Sequence, residues 1–210
     1  MSPAAAPAAK LGLRERKKLK TREAIQREAM RLFQKRGYEE TTIEQIAAAA
    51  EISPSTFFNY FPTKEDVVLY DAYDPMLAAL MLDRPADEPL STGLRQVLHR
   101  METIFTRDHD VILARAKLGI EVPALRARLW EELQKAQTLL SILVAQRAGR
   151  DPDDFEIRVV VMVVVTAAME AMYEWVKHDG RGSFVELVNQ ALDVVDAGAR
   201  LDRIAARPHP

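Results

Sequence analysis

From Thr21 to Asp66 apolar positions recur at helical spacing in short runs, each preceded by a residue suited to start a helix. Ile25, Ala29, Leu32 and Phe33 form one stripe, which predicts a helix from Thr21 to Arg36 that stops at Gly37. Thr42 and Gln45 have capping-box spacing, and Ile43, Ile46 and Ala47 then supply an apolar face. Glu51 and Ile52 make a turn. Ser53 caps again, Pro54 takes the first helical position, where its missing N–H costs nothing, and Ser55 to Phe61 follows as one compact helix. Pro62 ends it. Thr63 with Asp66 starts a further helix, Lys64 in its first turn, that runs through Val67, Val68, Leu69, Tyr70 and Tyr73 to Pro75. Two short capped helices across so tight a turn are the grammar of a helix-turn-helix.

Pro85 and Pro89, among Asp83, Arg84, Asp87, Glu88 and Ser91, predict a loop. Helices are expected over residues 92–108, 110–120, 123–148, 154–178 and 183–204, with Arg147 and Gly149 closing the third. Asp151 is placed to cap the next, with Pro152 at its first position and Asp153 and Asp154 complementing the positive helix end. Val159 to Val165 is uninterrupted apolar sequence, and valine favours strands. No turn signal falls between Asp154 and His178, however, and Ala167, Ala168, Met169, Ala171 and Met172 continue as good helix, so a helix is predicted. Thr166, Glu170 and Glu174 leave it short of the roughly 20 clean residues of a membrane span, and no membrane partner is expected. A helix apolar nearly all round must be covered on several sides. The helices near 154–178 and 183–204, the second carrying Phe184, Leu187, Val188, Ala191, Leu192, Val195 and Leu201, are therefore candidates for a homodimer face, with an internal hairpin as the alternative.

The second helix of a helix-turn-helix lies in the DNA major groove, braced by the first. Ser55, Thr56, Asn59 and Tyr60 can form a hydroxyl and amide face, while Phe57 and Phe61 pack inward; the bland alternative is a connecting helix with ordinary surface serines. Residues 21–66 resemble the DNA-binding domain of the TetR family of transcriptional regulators. The resemblance runs from Arg36-Gly37-Tyr38 through Thr41-Thr42-Ile43-Glu44-Gln45-Ile46-Ala47 to Thr56-Phe57-Phe58-Asn59-Tyr60-Phe61-Pro62-Thr63-Lys64-Glu65. Two positions depart from the family pattern: Glu51 stands where a glycine is usual, and Phe58 where a tyrosine hydroxyl often reaches a phosphate.

The resemblance implies an all-α fold, an N-terminal three-helix helix-turn-helix domain followed by a C-terminal helical domain. The expected division is a flexible basic arm over 1–20, the DNA-binding domain with a bridging helix over 21–74, and an effector-binding and dimerisation domain over 75–210. The DNA contacts it implies are Lys17, Lys18, Lys20, Arg22, Thr42, Glu44, Ser53, Ser55, Thr56, Asn59, Tyr60 and Lys64. The effector lining it implies includes Met101, Phe105, Leu113, Leu129, Trp130, Leu133, Met162, Met169 and Tyr173, types that at helical spacing serve equally as plain core. In the family the last two large helices of each subunit form an intersubunit four-helix bundle. The stretch Pro123 to Leu129, with Gln146-Arg147 and Asp151 to Asp154, looks like TetR regulators of actinobacterial type whose ligands are acyl-CoA-like. The function so implied is a ligand-responsive repressor bound as a homodimer to a palindromic double-stranded operator. A regulator without a small-molecule effector and a helical interaction module are the alternatives. Glu170, among apolar neighbours, is open to three placements: a polar effector group, a dimer seam or an exposed helix margin.

Charge sharpens this division. The net charge of −2 conceals 12 Lys and Arg against 7 Asp and Glu over residues 1–64, hence +5 there and −7 over the remainder. Lys10, Arg14, Arg16, Lys17, Lys18, Lys20 and Arg22 against Glu15 can track a phosphate backbone without reading sequence. The absence of cysteine excludes disulfides and thiolate metal sites. Four histidines without ligand spacing and no glycine-rich phosphate loop point away from an enzyme, and no metal or cofactor is expected. Met1 to Ala9 reads as a Pro/Ala tail lacking a signal peptide's apolar core, so the cytoplasm is the expected location.

Overall fold

A computed structural model describes residues 12–71, 73–85 and 87–198. The Pro/Ala tail, Lys10 and the expected helical residues 199–204 lie outside the described residues. The chain folds as α1 (Leu13–Arg36), α2 (Ile43–Ala49), α3 (Pro54–Tyr60), α4 (Lys64–Leu69), α5 (Asp74–Leu82), α6 (Leu90–Arg107), α7 (His109–Glu121), α8 (Pro123–Ala127), α9 (Leu129–Ala148), α10 (Phe155–Lys177) and α11 (Phe184–Asp196). No strand occurs among the described residues. No helix there is long and apolar enough to cross a membrane.

The start signals of α2 to α4 act as their residues dictate. Thr42 accepts from Gln45 N–H while Gln45 reaches back to the Thr42 N–H, and Thr63 with Asp66 repeats that box. Ser53 accepts from Thr56 N–H, with Pro54 in the first turn. Between α2 and α3, Ile52 N–H donates to Ala47 O at 2.9 Å and Glu51 N–H to Ala48 O at 3.2 Å, the pair of bonds that makes a Schellman turn. Such a turn needs a left-handed residue, and Glu51 supplies it at φ 55°. A glycine would adopt that φ freely, whereas Glu51 does so at a cost of about 1 kcal/mol.

Several expectations are corrected by the geometry. The first helix begins at Leu13, so residues 13–20 are helical in place of the expected flexible arm. The helix begun at Lys64 ends at Leu69, and Pro75 lies in the first turn of α5 instead of ending a longer element. The expected helix over 123–148 is broken after Ala127. Asp154, rather than Asp151, caps α10 by accepting from Glu156 N–H. Asp151 instead accepts from Asp153 N–H at 2.8 Å and makes the turn before it.

Packing groups the chain into two units: residues up to Asp83 together with Arg107–Glu132, and Arg84–Thr106 together with the chain from Leu133 onward. The first unit is built on Ile25, Ala29, Leu32 and Phe33 of α1, with Tyr38, Ile46, Ala47, Phe57, Phe61, Val67 and Val68, and Leu125 of α8 is fully buried among them. Its compact body therefore does not end near residue 75, since α7 and α8 return to it. In the second unit, Ala171 of α10 and Val188 and Leu192 of α11 are buried together, with Leu94 and Leu98 of α6 against them. Arg95 of α6 ties onto α11 through Asn189 O at 3.1 Å, Asp193 at 2.8 Å and Asp196 at 3.0 Å.

Candidate nucleic-acid interface

Helix α3 is held from within by Phe57, which is fully buried, and by the tilted Phe57–Phe61 ring pair at 6.0 Å. With Phe57 inward, the outward positions are Ser55, Phe58 and Asn59, all exposed and spaced i, i+3, i+4 on one face. Thr56 and Tyr60 are half-buried at its margins. At the head of the helix the Ser53 hydroxyl lies 2.9 Å from that of Ser55 and 2.8 Å from that of Thr56, a small hydroxyl cluster. Periodicity alone makes the outward face entirely polar. Phe58 interrupts that polar face: at 52% exposure its ring stands outward one turn beyond Ser55, in a T-shaped contact with the Phe57 ring at 5.7 Å.

The expected cations fall into two groups. Lys17, Lys18 and Lys20, with Arg14 and Arg16, are exposed on the first two turns of α1. Arg22 turns inward: its guanidinium lies over the Phe61 and Tyr70 rings at 5.7 and 5.0 Å, and it donates to Tyr60 O at 3.4 Å. Lys64 is also held within the unit, donating to Tyr38 O at 2.8 Å and Thr41 O at 3.2 Å with its ammonium 4.2 Å from the Tyr38 ring centre. Thr42, which caps α2, and Glu44 in its first turn are exposed. The Glu44 carboxyl is held below its ordinary range by its own backbone N–H and by the Thr42 hydroxyl, so it is ionised at neutral pH.

Helix α4, which follows the pair, is anchored from two sides. Gln26 of α1, itself buried, donates to Val67 O at 2.9 Å and Tyr70 O at 2.8 Å, and Arg115 of α7 donates to Val68 O at 3.0 Å. These side chains occupy carbonyls that a helix end leaves without partners. At its other end, Arg128 meets Asp66 at 2.8 Å and Thr63 Oγ1 at 3.2 Å. Burial would push the Asp66 carboxyl up, but hydrogen bonds from Thr63 and Arg128 and the Arg128 charge outweigh it and hold the carboxyl low. Tyr38 donates to Glu65 at 2.8 Å, and burial with that carboxylate raises the Tyr38 phenol.

The residues expected to line an effector site divide between the units. Met101, Phe105, Leu133, Met162, Met169 and Tyr173 belong to the second, Leu113, Leu129 and Trp130 to the first. Met101 is fully buried, and Phe105 packs edge-on against Phe184 at 5.4 Å, which in turn touches Trp175 at 5.6 Å. Met162 lies in an open groove with Gln137, Phe155, Val159 and Val163. Leu113, Leu129, Leu133, Met169 and Tyr173 are half-buried, whereas Trp130 is 60% exposed. Glu170 is exposed on α10, two turns beyond Val163 on the same outer face.

Comparison with known proteins agrees with this arrangement. Residues 25–70 match the family model for bacterial regulatory proteins of the tetR family, and residues 88–200 match that of the MftR C-terminal domain. The chain is similar to the HTH-type transcriptional regulator TcmR of Streptomyces glaucescens, 36% identical over 173 residues that cover 78% of this chain and 76% of the relative. It is also similar to the crystal structure of Thermus thermophilus FadR, described as a TetR-family transcriptional repressor, in complex with lauroyl-CoA. That likeness has a TM-score of 0.54 and 26% identity, and covers 90% of this chain and 98% of the other.

Proposed function

The chain belongs to the TetR family of transcriptional regulators, and from that premise we propose that it is a repressor that binds a palindromic operator as a homodimer and is released by an acyl-CoA. The observation that carries the operator reading is the outward face of α3, Ser55, Phe58 and Asn59, presented by a helix whose inner side is locked by Phe57. A helix so held can enter the major groove as a rigid body. Asn59, whose amide has no partner among the described residues, has the donor and acceptor pair that suits an adenine edge. Lys17, Lys18 and Lys20 supply phosphate contacts from the exposed turns of α1, and Thr42, Ser53, Ser55, Thr56 and Tyr60 add hydroxyls around the pair. Glu44, being ionised, suits a cytosine amino group and repels a phosphate. Arg22 and Lys64 contribute by holding the domain together.

The acyl-CoA reading is supported by the likeness to a regulator crystallised with lauroyl-CoA and by the apolar character of Met101, Phe105, Met169 and Tyr173. Release follows from population shift: the effector favours a dimer whose α3 helices no longer match the spacing of two half-sites, about 34 Å apart or a multiple of it. Titration of lauroyl-CoA into the protein–operator complex, followed by fluorescence anisotropy, tests this. Operator affinity is expected to fall by roughly five- to 150-fold, the usual range of such coupling. Unchanged affinity across acyl chains from short to long, with sequence-specific binding intact, would remove the acyl-CoA and leave a regulator answering to another signal or to none.

A further inference from the structure

The outward face of α3 contains one residue that hydrogen bonding cannot explain. Phe58 is 52% exposed on that face, one turn beyond Ser55 and beside Asn59. Its ring has neither donor nor acceptor, so it can bond neither a phosphate nor the polar edge of a base. Nor does it belong to the buried core: Phe57 beside it is fully buried and pairs with Phe61, while Phe58 meets the Phe57 ring in a T-shaped contact and stays half exposed. A large apolar ring left in water on an otherwise polar helix face marks a contact surface. The major groove offers one apolar group to such a ring, the C5-methyl of thymine.

We infer that Phe58 reads a thymine in each operator half-site through its C5-methyl group. This rests on the reading that α3 enters the major groove. On that geometry Phe58 and Asn59 are neighbours along the chain and about 100° apart around the helix, so they meet different base pairs, one through apolar contact and the other through hydrogen bonds. Specificity at the Phe58 position is therefore independent of any polar pairing.

Deoxyuridine differs from thymidine in the major groove only by the missing methyl, which makes it the probe. An operator is first selected from a random duplex pool with the full-length protein, and each thymine is then replaced in turn by deoxyuridine. At one thymine per half-site the replacement should weaken binding by roughly four- to tenfold, as expected for one buried methyl and its packing. Phe58→Ala, an exposed position whose truncation leaves the Phe57–Phe61 pair in place, should bind the thymine and deoxyuridine operators equally well. The inference is overturned if no thymine responds to loss of its methyl, or if Phe58→Ala keeps the response. It is also overturned if that variant loses affinity equally for every duplex, which would put the ring on the sugar-phosphate backbone. Selection repeated with Asn59→Ala distinguishes the two levels of failure. A changed preference with no methyl response removes only the role of Phe58, whereas an unchanged preference in both variants removes α3 from the groove and the inference with it.

Discussion

Lys64 and the lysines at the start of α1 carry the same charge in different surroundings, and their surroundings decide what each does. Lys17, Lys18 and Lys20 are exposed, so their ammonium groups are fully hydrated and can exchange counterions for phosphates at small cost. Lys64 is half-buried, with its ammonium between two backbone carbonyls and a tyrosine face. Removing it leaves the Tyr38 and Thr41 carbonyls short of a donor, which costs about 1–2 kcal/mol. Lys64→Ala should accordingly lower the unfolding free energy by that amount and leave the salt dependence of DNA binding unchanged. Lys17→Ala, Lys18→Ala and Lys20→Ala should leave stability unchanged and flatten the log–log salt slope by roughly 0.9 for each phosphate that is no longer neutralised. Denaturant unfolding beside anisotropy at a series of salt concentrations separates the two patterns. A flattened slope in the Lys64 variant would put its ammonium on a phosphate.

At the scale of elements, α4 joins the helix-turn-helix core to α7 and α8, through the buried Val67 and Val68 and through polar contacts of identifiable strength. The Asp66–Arg128 pair makes a pH test possible. In the folded chain the Asp66 carboxyl is held below its ordinary value of 3.8, because the favourable hydrogen bonds and charge exceed the burial penalty. The folded state thus holds its proton less tightly than the unfolded chain does, so the stabilisation is fully present above the unfolded pKa and is lost as pH falls through the lowered folded value. Arg128→Ala should cost about 1 kcal/mol near neutral pH, and the gap from the unaltered chain should close as the solution is taken well below pH 3.8. A gap that stays constant into acid would mean that Arg128 acts through packing or through Thr63 alone. The caps at Thr42, Ser53 and Thr63 are legible in the sequence because each is decided within three residues. Leu125 in the core of the helix-turn-helix unit is not, because it comes from a segment nearly 60 residues beyond Val68 and nothing local marks its return. Pro75 misleads for a related reason: proline is equally at home after a helix and in the first turn of one, and only tertiary context selects between them. The two adjacent phenylalanines are told apart by spacing, since Phe57 and Phe61 at i, i+4 claim the inward side, but how far the Phe58 ring stands in solvent is visible only in the fold.

At the scale of the whole molecule, the apolar content of the last two helices divides into a part already buried within the chain and a part that is not. The stripe on α11 expected at the dimer face is largely internal: Val188 and Leu192 are buried against α10 and α6. What remains uncovered is the outer face of the first half of α10, where Phe155 is 77% exposed and Val159, Val160 and Val163 are 39–45% exposed. Ile142 of α9 and Val194 of α11 are exposed as well. Four large apolar residues within nine positions of one helix face exceed the scattered exposure normal for a monomer and suit a self-complementary two-fold contact. Glu170 is exposed on that same outer face. Leu192→Lys buries a charge within the subunit and should unfold it, so that variant cannot report on assembly. Val163→Asp is the informative one. In a monomer its carboxylate points to water and should change stability by about 0.5 kcal/mol or less, whereas in an apolar seam between two copies it would be buried without a counter-charge. The expected product is a helical, cooperatively folding monomer that keeps weak binding to a single half-site and loses most of its affinity for the full palindrome, since the second recognition helix is no longer carried along. Sedimentation shows the mass, circular dichroism the fold, and titrations of half-site and full-site duplexes the linkage between assembly and reading. A Val163→Asp protein that sediments as an intact dimer and binds the palindrome fully would move the interface off the α10 face and leave those valines to be covered by something other than a second copy.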